Sequence, residues 1–192
     1  MKNAIVIFGY GRLARTIEEY IGDLLSGQNV FFTDDFGKDF SGNFIPLAAA
    51  LENKHEYDWL LGIGSNDLKR RKELFEKFET NRFNSTAIVS GKSHVSSSAV
   101  IGTGTIVAPG CVIDTNVVIG SHSLLRPAVT LSHDVKIGNN VFIAPGATIC
   151  GGATIGNHVF IGAGAIVTNG EIIPDGQFVK AGSVHARRST RR

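Results

Sequence analysis

The sequence predicts two units of different class. Residues 1–82 read as a small parallel α/β unit, a Rossmann-like half domain, and residues 83–192 as an all-β parallel solenoid ending in a basic tail. Three observations carry this. From His94 to Ser183 an aliphatic residue returns every sixth position without insertion or deletion. Ahead of that stretch, short apolar runs alternate with amphipathic ones in the order strand, helix, strand, helix. The first apolar run closes in Gly9-Tyr10-Gly11-Arg12-Leu13-Ala14, a glycine turn leading from a strand into a helix.

Written in sixes from His94, the second residue of each repeat (Val95, Ile101, Val107, Ile113, Ile119, Leu125, Leu131, Ile137, Ile143, Ile149, Ile155, Ile161, Val167, Ile173, Val179) is Val, Ile or Leu in all fifteen cases. A period of six matches neither the helix nor the simple strand, so each repeat is a strand followed by a turn, stacked on copies of itself. The aliphatic residue points inward, and the residues after it (Gly102, Gly104, Pro109, Gly110, Gly120, Gly138, Pro145, Gly146, Gly151, Gly152) turn the corner. Three repeats make a triangular coil, so the stretch makes about five coils. Each buried aliphatic side chain contributes roughly 1.5 to 3 kcal/mol, much of it offset by the entropy of ordering the chain.

In the first unit, Ala4–Phe8 reads as a strand and the pattern after GYGRLA as a helix through Leu25. A second strand, Asn29–Thr33, ends in Asp34-Asp35, and Pro46–Glu52 reads as a short helix. Asp58–Gly64 is a third, buried strand closing in Gly64-Ser65-Asn66, followed by a charged amphipathic helix from Asp67 to Thr80. The G-x-G-x-x-A turn places backbone N–H groups and a helix N-terminus where a phosphate can sit, and the acidic pair at the end of the next strand suits a ribose or sugar hydroxyl. A complete dinucleotide fold needs two such halves and this chain has room for about one, so a mononucleotide-sized ligand fits better than a dinucleotide. Glycines serving only as tight turns are the alternative reading.

Composition narrows the function classes. Hydrophobic content of 43% and charged content of 19% describe a soluble globular protein, and no apolar run approaches a membrane span. The opening residues read as a first strand, not a signal peptide, which makes the cytoplasm the default location. The net charge of +2 argues against nucleic-acid binding, the more so because four arginines (Arg187, Arg188, Arg191, Arg192) sit in the last six residues. Cys111 and Cys150 have no metal-type spacing and read as reduced structural thiols.

GYGRLA, FTDD and GIGSND joined to six-residue repeats containing SHDVKIG and ATICGGATIG resemble the NeuD/PglD-type sugar acyltransferases of the left-handed β-helix (hexapeptide repeat) family. The resemblance spans nearly the whole chain. It implies a left-handed coil, against the general rule for β crossovers, a homotrimer with active sites between neighbouring prisms, and acetyl-CoA as co-substrate without a metal. It also implies N-acetylation of a UDP-, GDP- or dTDP-linked amino sugar in glycan synthesis. O-acetylation of sialic acid or a related sugar is the rival activity, and a non-catalytic trimeric scaffold that binds nucleotide sugars is the non-enzyme rival.

From the repeat alone, His133 stands at an outward corner two positions after Leu131, with Asp134 beside it. Gly151 and Gly152 come one coil later, leaving open space and exposed N–H groups next to the imidazole. A base for the attacking amine and a donor for the oxyanion are what acyl transfer needs. The resemblance puts the family's His–acid pair on His133 and Asp134 and its oxyanion glycine on Gly151, with His133 as general base in direct transfer. It puts nucleotide contacts on Gly9, Tyr10, Gly11, Asp34, Asp35, Gly64, Ser65, Asn66 and Arg70 or Arg71. CoA contacts fall near Phe142, Gly151, Ala163 and Ala181, with Arg187 or Arg188 for its phosphates; a solvated basic end is the other reading of that tail.

Several positions depart from the family pattern. The first loop is GYGRLA where relatives often carry a Gly-x-x-Gly-His type of loop. Phe142 stands where some relatives have a second histidine, and His185 where proline is usual. Arg126 replaces the usual Asn near the substrate; it can pair with a carboxylate or phosphate or be a solvated corner. Cys150 reads as a small corner residue and not as a nucleophile. His94, His122 and His158 lack the close histidine pair of the zinc-dependent hexapeptide carbonic anhydrases.

Overall fold

The structure, a computed structural model, describes residues 4–22, 29–34 and 43–186, the side chains of residues 21 and 22 excepted. Asp35, Arg187 and Arg188 lie outside the described residues. The chain forms two compact units, Met1–Ile88 and Val89–Arg192. The sequence reading set the change at 82/83. Residues just past that point pack back on the first unit: the Phe83 ring lies 4.7 Å from Trp59, Trp59 N–H donates to Asn84 O at 2.8 Å, and Thr86 Oγ1 donates to Asp58 at 3.0 Å.

In the first unit, β1 (Ala4–Phe8) lies between β2 (Asn29–Thr33) and β3 (Asp58–Leu61), all parallel, with Ile7 opposite Phe32 on one side and Leu60 on the other. A central strand covered on both faces has to be apolar throughout, as the buried run Ile5 to Phe8 is. Helices α1 (Arg12–Gly22), α2 (Leu47–Glu52) and α3 (Leu68–Asn81) complete the unit. Trp59, fully buried, centres a cluster with Val6, Phe8, Ala50, Leu61, Leu74, Phe75 and Phe78. Asp67 caps α3 by accepting the Arg70 N–H at 2.9 Å.

Strand β3 stops at Leu61, earlier than the apolar run suggests. A Cβ at Gly62 would lie 2.6 Å from Ile7 Cγ2 and 2.9 Å from Ala14 Cβ, so sheet and helix close on bare backbone there and the chain turns out of the sheet. With the order β2-β1-β3, the chain passes from β1 outward to β2 and then crosses back beyond β1 to β3, and the crevice beyond the carboxyl ends at such a reversal is where open α/β sheets bind ligands.

The second unit is a parallel solenoid whose strands are two residues long and pair with strands eighteen residues away. One face includes the strands Ile106–Val107, Leu124–Leu125, Phe142–Ile143, Phe160–Ile161 and Phe178–Val179. The second runs from His94–Val95 through Thr130–Leu131 and Thr148–Ile149 to Val184–His185, and the third from Val100–Ile101 through Lys136–Ile137 to Ile172–Ile173. From Val107 to Val179 the expected inward residues are buried in one continuous core, with Val95 and Ile101 partly buried at its start. Backbone bonds such as Phe142 N–H to Val159 O, 2.9 Å, tie each coil to the next.

Candidate active site

On the edge between the second and third faces, Leu131 is fully buried, and two positions later His133 projects outward with its side chain 57% exposed. Asp134 adopts a left-handed φ of +59°, which brings its carboxylate back beside the preceding side chain: His133 Nδ1 and Asp134 Oδ2 are 2.9 Å apart. The other carboxylate oxygen accepts from Asn116 Nδ2 at 3.2 Å, and the Asn116 N–H donates to Ser98 Oγ at 2.9 Å. The hydrogen bond from His133, then that from Asn116, holds the Asp134 carboxyl below the usual carboxylate range. A carboxylate receiving the Nδ1 proton leaves Nε2 as the basic nitrogen.

One coil later the expectation needs correction. The space at Gly151 is not open: a Cβ there would lie 2.5 Å from His133 Nε2 and 2.7 Å from Cε1, so the imidazole occupies the place of a side chain. Gly152 does border open space, but its N–H is taken by His133 O at 2.9 Å. Gly151 N–H donates to none of the described residues. Of the two glycines, Gly151 is therefore the one whose N–H is not taken by a described residue, and its Cα carries the site that the imidazole fills.

The sequence reading missed Asn116. Its signal was register, since it stands eighteen residues before Asp134 in the same corner position.

Other expected residues sit elsewhere on the prism. Arg126 follows the strand Leu124–Leu125 on the edge between the first and second faces, with Nη1 buried and unpartnered among the described residues. Phe142 projects from the first face, 5% exposed, and stacks on Phe160 at 5.4 Å, which stacks on Phe178 at 4.8 Å. Ala163 and Ala181 are exposed on the same edge as Arg126. One chain does not gather these residues around His133.

Cys111 is buried, its thiol donating to Arg126 O at 3.3 Å and pushed up in pKa by burial, while Cys150 is half-buried; neither forms a disulfide. Among the described residues no group of three or more His, Cys, Asp or Glu side chains is gathered as a metal site would require. No described helix is long and apolar enough to cross a membrane.

In the α/β unit, the carboxyl edge of the sheet collects the other expected residues. Gly9 N–H donates to Thr33 O at 2.7 Å, and half-buried Asp34 follows on the end of β2. The Tyr10 ring packs edge-on against Phe32 at 5.3 Å and Phe44 at 6.2 Å. Arg15, which the sequence reading did not single out, donates to Tyr10 Oη at 2.7 Å and lies over its ring at 4.6 Å. Gly11 O opens α1 by accepting Arg15 N–H at 3.3 Å. Gly64 leads into the exposed turn Ser65–Asp67, which holds Ser65 and Asn66. Arg70 lies over the Phe8 ring at 5.9 Å and 3.9 Å from Glu73. Arg71, its alternative as a nucleotide contact, is buried and turned into the unit.

The family described as bacterial transferase hexapeptide (six repeats) matches residues 116–151 and 134–169, the coils that carry His133 and Gly151. No sequence among curated proteins matches. Among solved structures, PerB from Caulobacter crescentus, in complex with CoA and GDP-perosamine, is 25% identical with a TM-score of 0.84, covering 96% of this chain and 89% of that one. The acetyltransferase domain of PglB from Neisseria gonorrhoeae is 24% identical with a TM-score of 0.83, covering 96% and 91%. WeeI from Acinetobacter baumannii is 23% identical with a TM-score of 0.71, covering 94% and 95%; the last two likenesses concern the fold.

The coil is thus the left-handed hexapeptide-repeat β-helix of bacterial transferases, preceded by an α/β half domain. Over 96% of its length the chain is similar in fold to PerB, whose structure holds CoA and GDP-perosamine.

Proposed function

We propose that the protein is an acetyl-CoA-dependent N-acetyltransferase acting on a nucleotide-linked amino sugar. The observation that carries this reading is the His133–Asp134 pair with Nε2 set against Gly151. The CoA and GDP-perosamine bound by PerB, the solved relative at 25% identity, support the substrate class.

In the proposed step, the sugar amine attacks the thioester carbonyl and His133 Nε2 takes its proton, with Asp134 steadying the imidazolium. The carbonyl oxygen gains charge opposite Gly151 N–H. The C–S bond then breaks, and the proton on His133 passes to the departing CoA thiolate. Atoms and charge balance with no covalent enzyme intermediate.

The nucleotide is assigned to the carboxyl edge of the α/β sheet, at Gly9, Tyr10, Gly11, Asp34, Asp35, Gly64, Ser65, Asn66 and Arg70. CoA is assigned to Phe142, Gly151, Ala163, Ala181 and Arg187. A homotrimer is part of the same reading. Val112, Ile166 and Val184 on the second face and Val100, Val118 and Ile172 on the third are exposed aliphatics that a neighbouring prism would cover. A neighbour also gives the means to bring the Arg126 edge of one copy to the His133 edge of another. The substrates named are cytoplasmic metabolites, which favours that compartment.

Arg126 favours a second reading, O-acetylation of a carboxylate-bearing sugar such as sialic acid. Its buried, unpartnered Nη1 is a donor suited to an anionic group.

The test incubates the protein with acetyl-CoA and UDP-, GDP- or dTDP-linked amino sugars, or with sialic acid, while following release of free thiol. Turnover of one amino sugar, lost in His133→Ala, supports the first reading. Turnover of sialic acid alone supports the second. No turnover by folded protein that still binds a nucleotide sugar leaves the scaffold.

A further inference from the structure

The α/β unit contains a buried cation with no place in the reaction. Arg71, in the first turn of α3, is 2% exposed, and burial lowers its pKa to about 10, so it remains charged at neutral pH. Interior guanidinium groups are costly unless they hold something. Arg71 Nη1 donates to Ile63 O at 3.0 Å and to Leu61 O at 3.4 Å, the carbonyls on either side of Gly62 where the chain leaves β3.

Those contacts fix which way the next amide points. In a trans peptide the C=O of one residue and the N–H of the following residue face opposite ways, and the described chain has no cis bonds. With Leu61 O turned to Arg71, Gly62 N–H faces away and meets Phe8 O at 2.8 Å. With Ile63 O turned to Arg71, Gly64 N–H also faces away from the guanidinium. Gly64 is half-exposed, stands beside Leu13 of the glycine turn, and its N–H donates to none of the described residues.

We propose that Arg71 is a positioning residue for ligand binding: by anchoring the carbonyls of Leu61 and Ile63 it presents the Gly64 N–H as a fixed donor to an acceptor oxygen of the nucleoside diphosphate. This rests on the nucleotide site assigned above and adds to it a residue that never touches the ligand. The donor is pre-oriented, so its hydrogen bond forms without ordering a loop on binding.

The test measures UDP, GDP and dTDP binding by calorimetry in the full-length protein, for wild type, Arg71→Met, Arg71→Lys and Gly64→Pro. Gly64 has φ −85°, within reach of proline, so that last change removes the N–H at small backbone cost. Arg71→Met and Gly64→Pro each weaken the nucleotide that wild type prefers by about tenfold to a hundredfold, the loss of one charge-assisted hydrogen bond. Arg71→Lys recovers part of the loss. The double variant binds no worse than Gly64→Pro alone, because both changes act on one donor. The far-UV circular dichroism of each variant matches wild type and reports a folded protein.

Additive losses in the double variant, or a lower Tm in Arg71→Met with unchanged nucleotide affinity, overturn the proposal and leave Arg71 a structural cation. Failure of wild type to bind any of the three nucleotides overturns it together with the nucleotide-site reading, and that result is distinct because it needs no variant.

Discussion

The imidazole of His133 fills the volume that a side chain at Gly151 would need. A Cβ on that glycine would come within 2.5 Å of Nε2, so the residue one coil above the base has to be glycine for the ring to stand where it does. Of the two glycine amides at this corner, the Gly151 N–H is the one that no described residue takes. Stacking between coils thus sets the proposed base against the glycine proposed as oxyanion donor.

Gly151→Ala should therefore displace the ring without opening the core. Acetyl transfer is expected to fall at least about a hundredfold, the scale of a lost base or oxyanion donor, while Tm drops by only a few degrees. Wild-type kcat in the alanine variant would remove Gly151 from the site.

His133→Ala should lower kcat by about a hundredfold to ten-thousandfold with an unchanged melting curve, because the side chain is more than half exposed and supports no core contact. Thiol release at saturating acetyl-CoA and amino sugar is the measurement. A variant that turns over as fast as wild type would falsify the base assignment.

Asp134 carries a pH signature. Its carboxyl is held below the ordinary range by its hydrogen bonds to His133 and Asn116, so it is charged above that range and loses the interaction only as pH falls through the lowered value. Between about pH 5 and 8 its ionisation should therefore leave no step in kcat/KM, and any acid limb there belongs to another group. Asp134→Asn should reduce kcat across the whole range. A step above about pH 5 that vanishes in Asp134→Asn would contradict this ordering.

Asn116→Leu removes a hydrogen bond to the carboxylate that orients the base. A fall in kcat of about threefold to tenfold is expected, in line with a net contribution near 1 kcal/mol, with KM for both substrates nearly constant. An effect confined to KM would place Asn116 in binding.

Ile143→Asp tests the frame itself. Ile143 is fully buried among the stacked aliphatics, and an unpaired carboxylate there costs several kcal/mol. Tm should fall by about 15 °C or more. A variant with the wild-type melting curve would mean that this column does not face inward.

The inward column was readable because a buried aliphatic at every sixth residue has no other use, and the outward corner of His133 follows from the same register. The glycine turn of GYGRLA marked the first crossover because a strand entering a helix there needs small residues. Asn116, by contrast, reaches Asp134 through left-handed corners in consecutive coils, with φ of +58° and +59°, a contact that local propensity does not encode.

Local spacing by itself determined where strands, corners and core residues fall in this protein, since burial imposes its period directly on the chain. Tertiary structure alone decided which corner atoms touch: that an imidazole fills the side-chain position of Gly151 instead of open space, that the Gly152 N–H is taken by His133 O, and that Arg71 faces inward while Arg70 faces a ring. Those outcomes depend on how coils stack and how a helix docks on its sheet, through hydrogen bonds and close contacts between residues distant along the chain, and no period in the sequence records them.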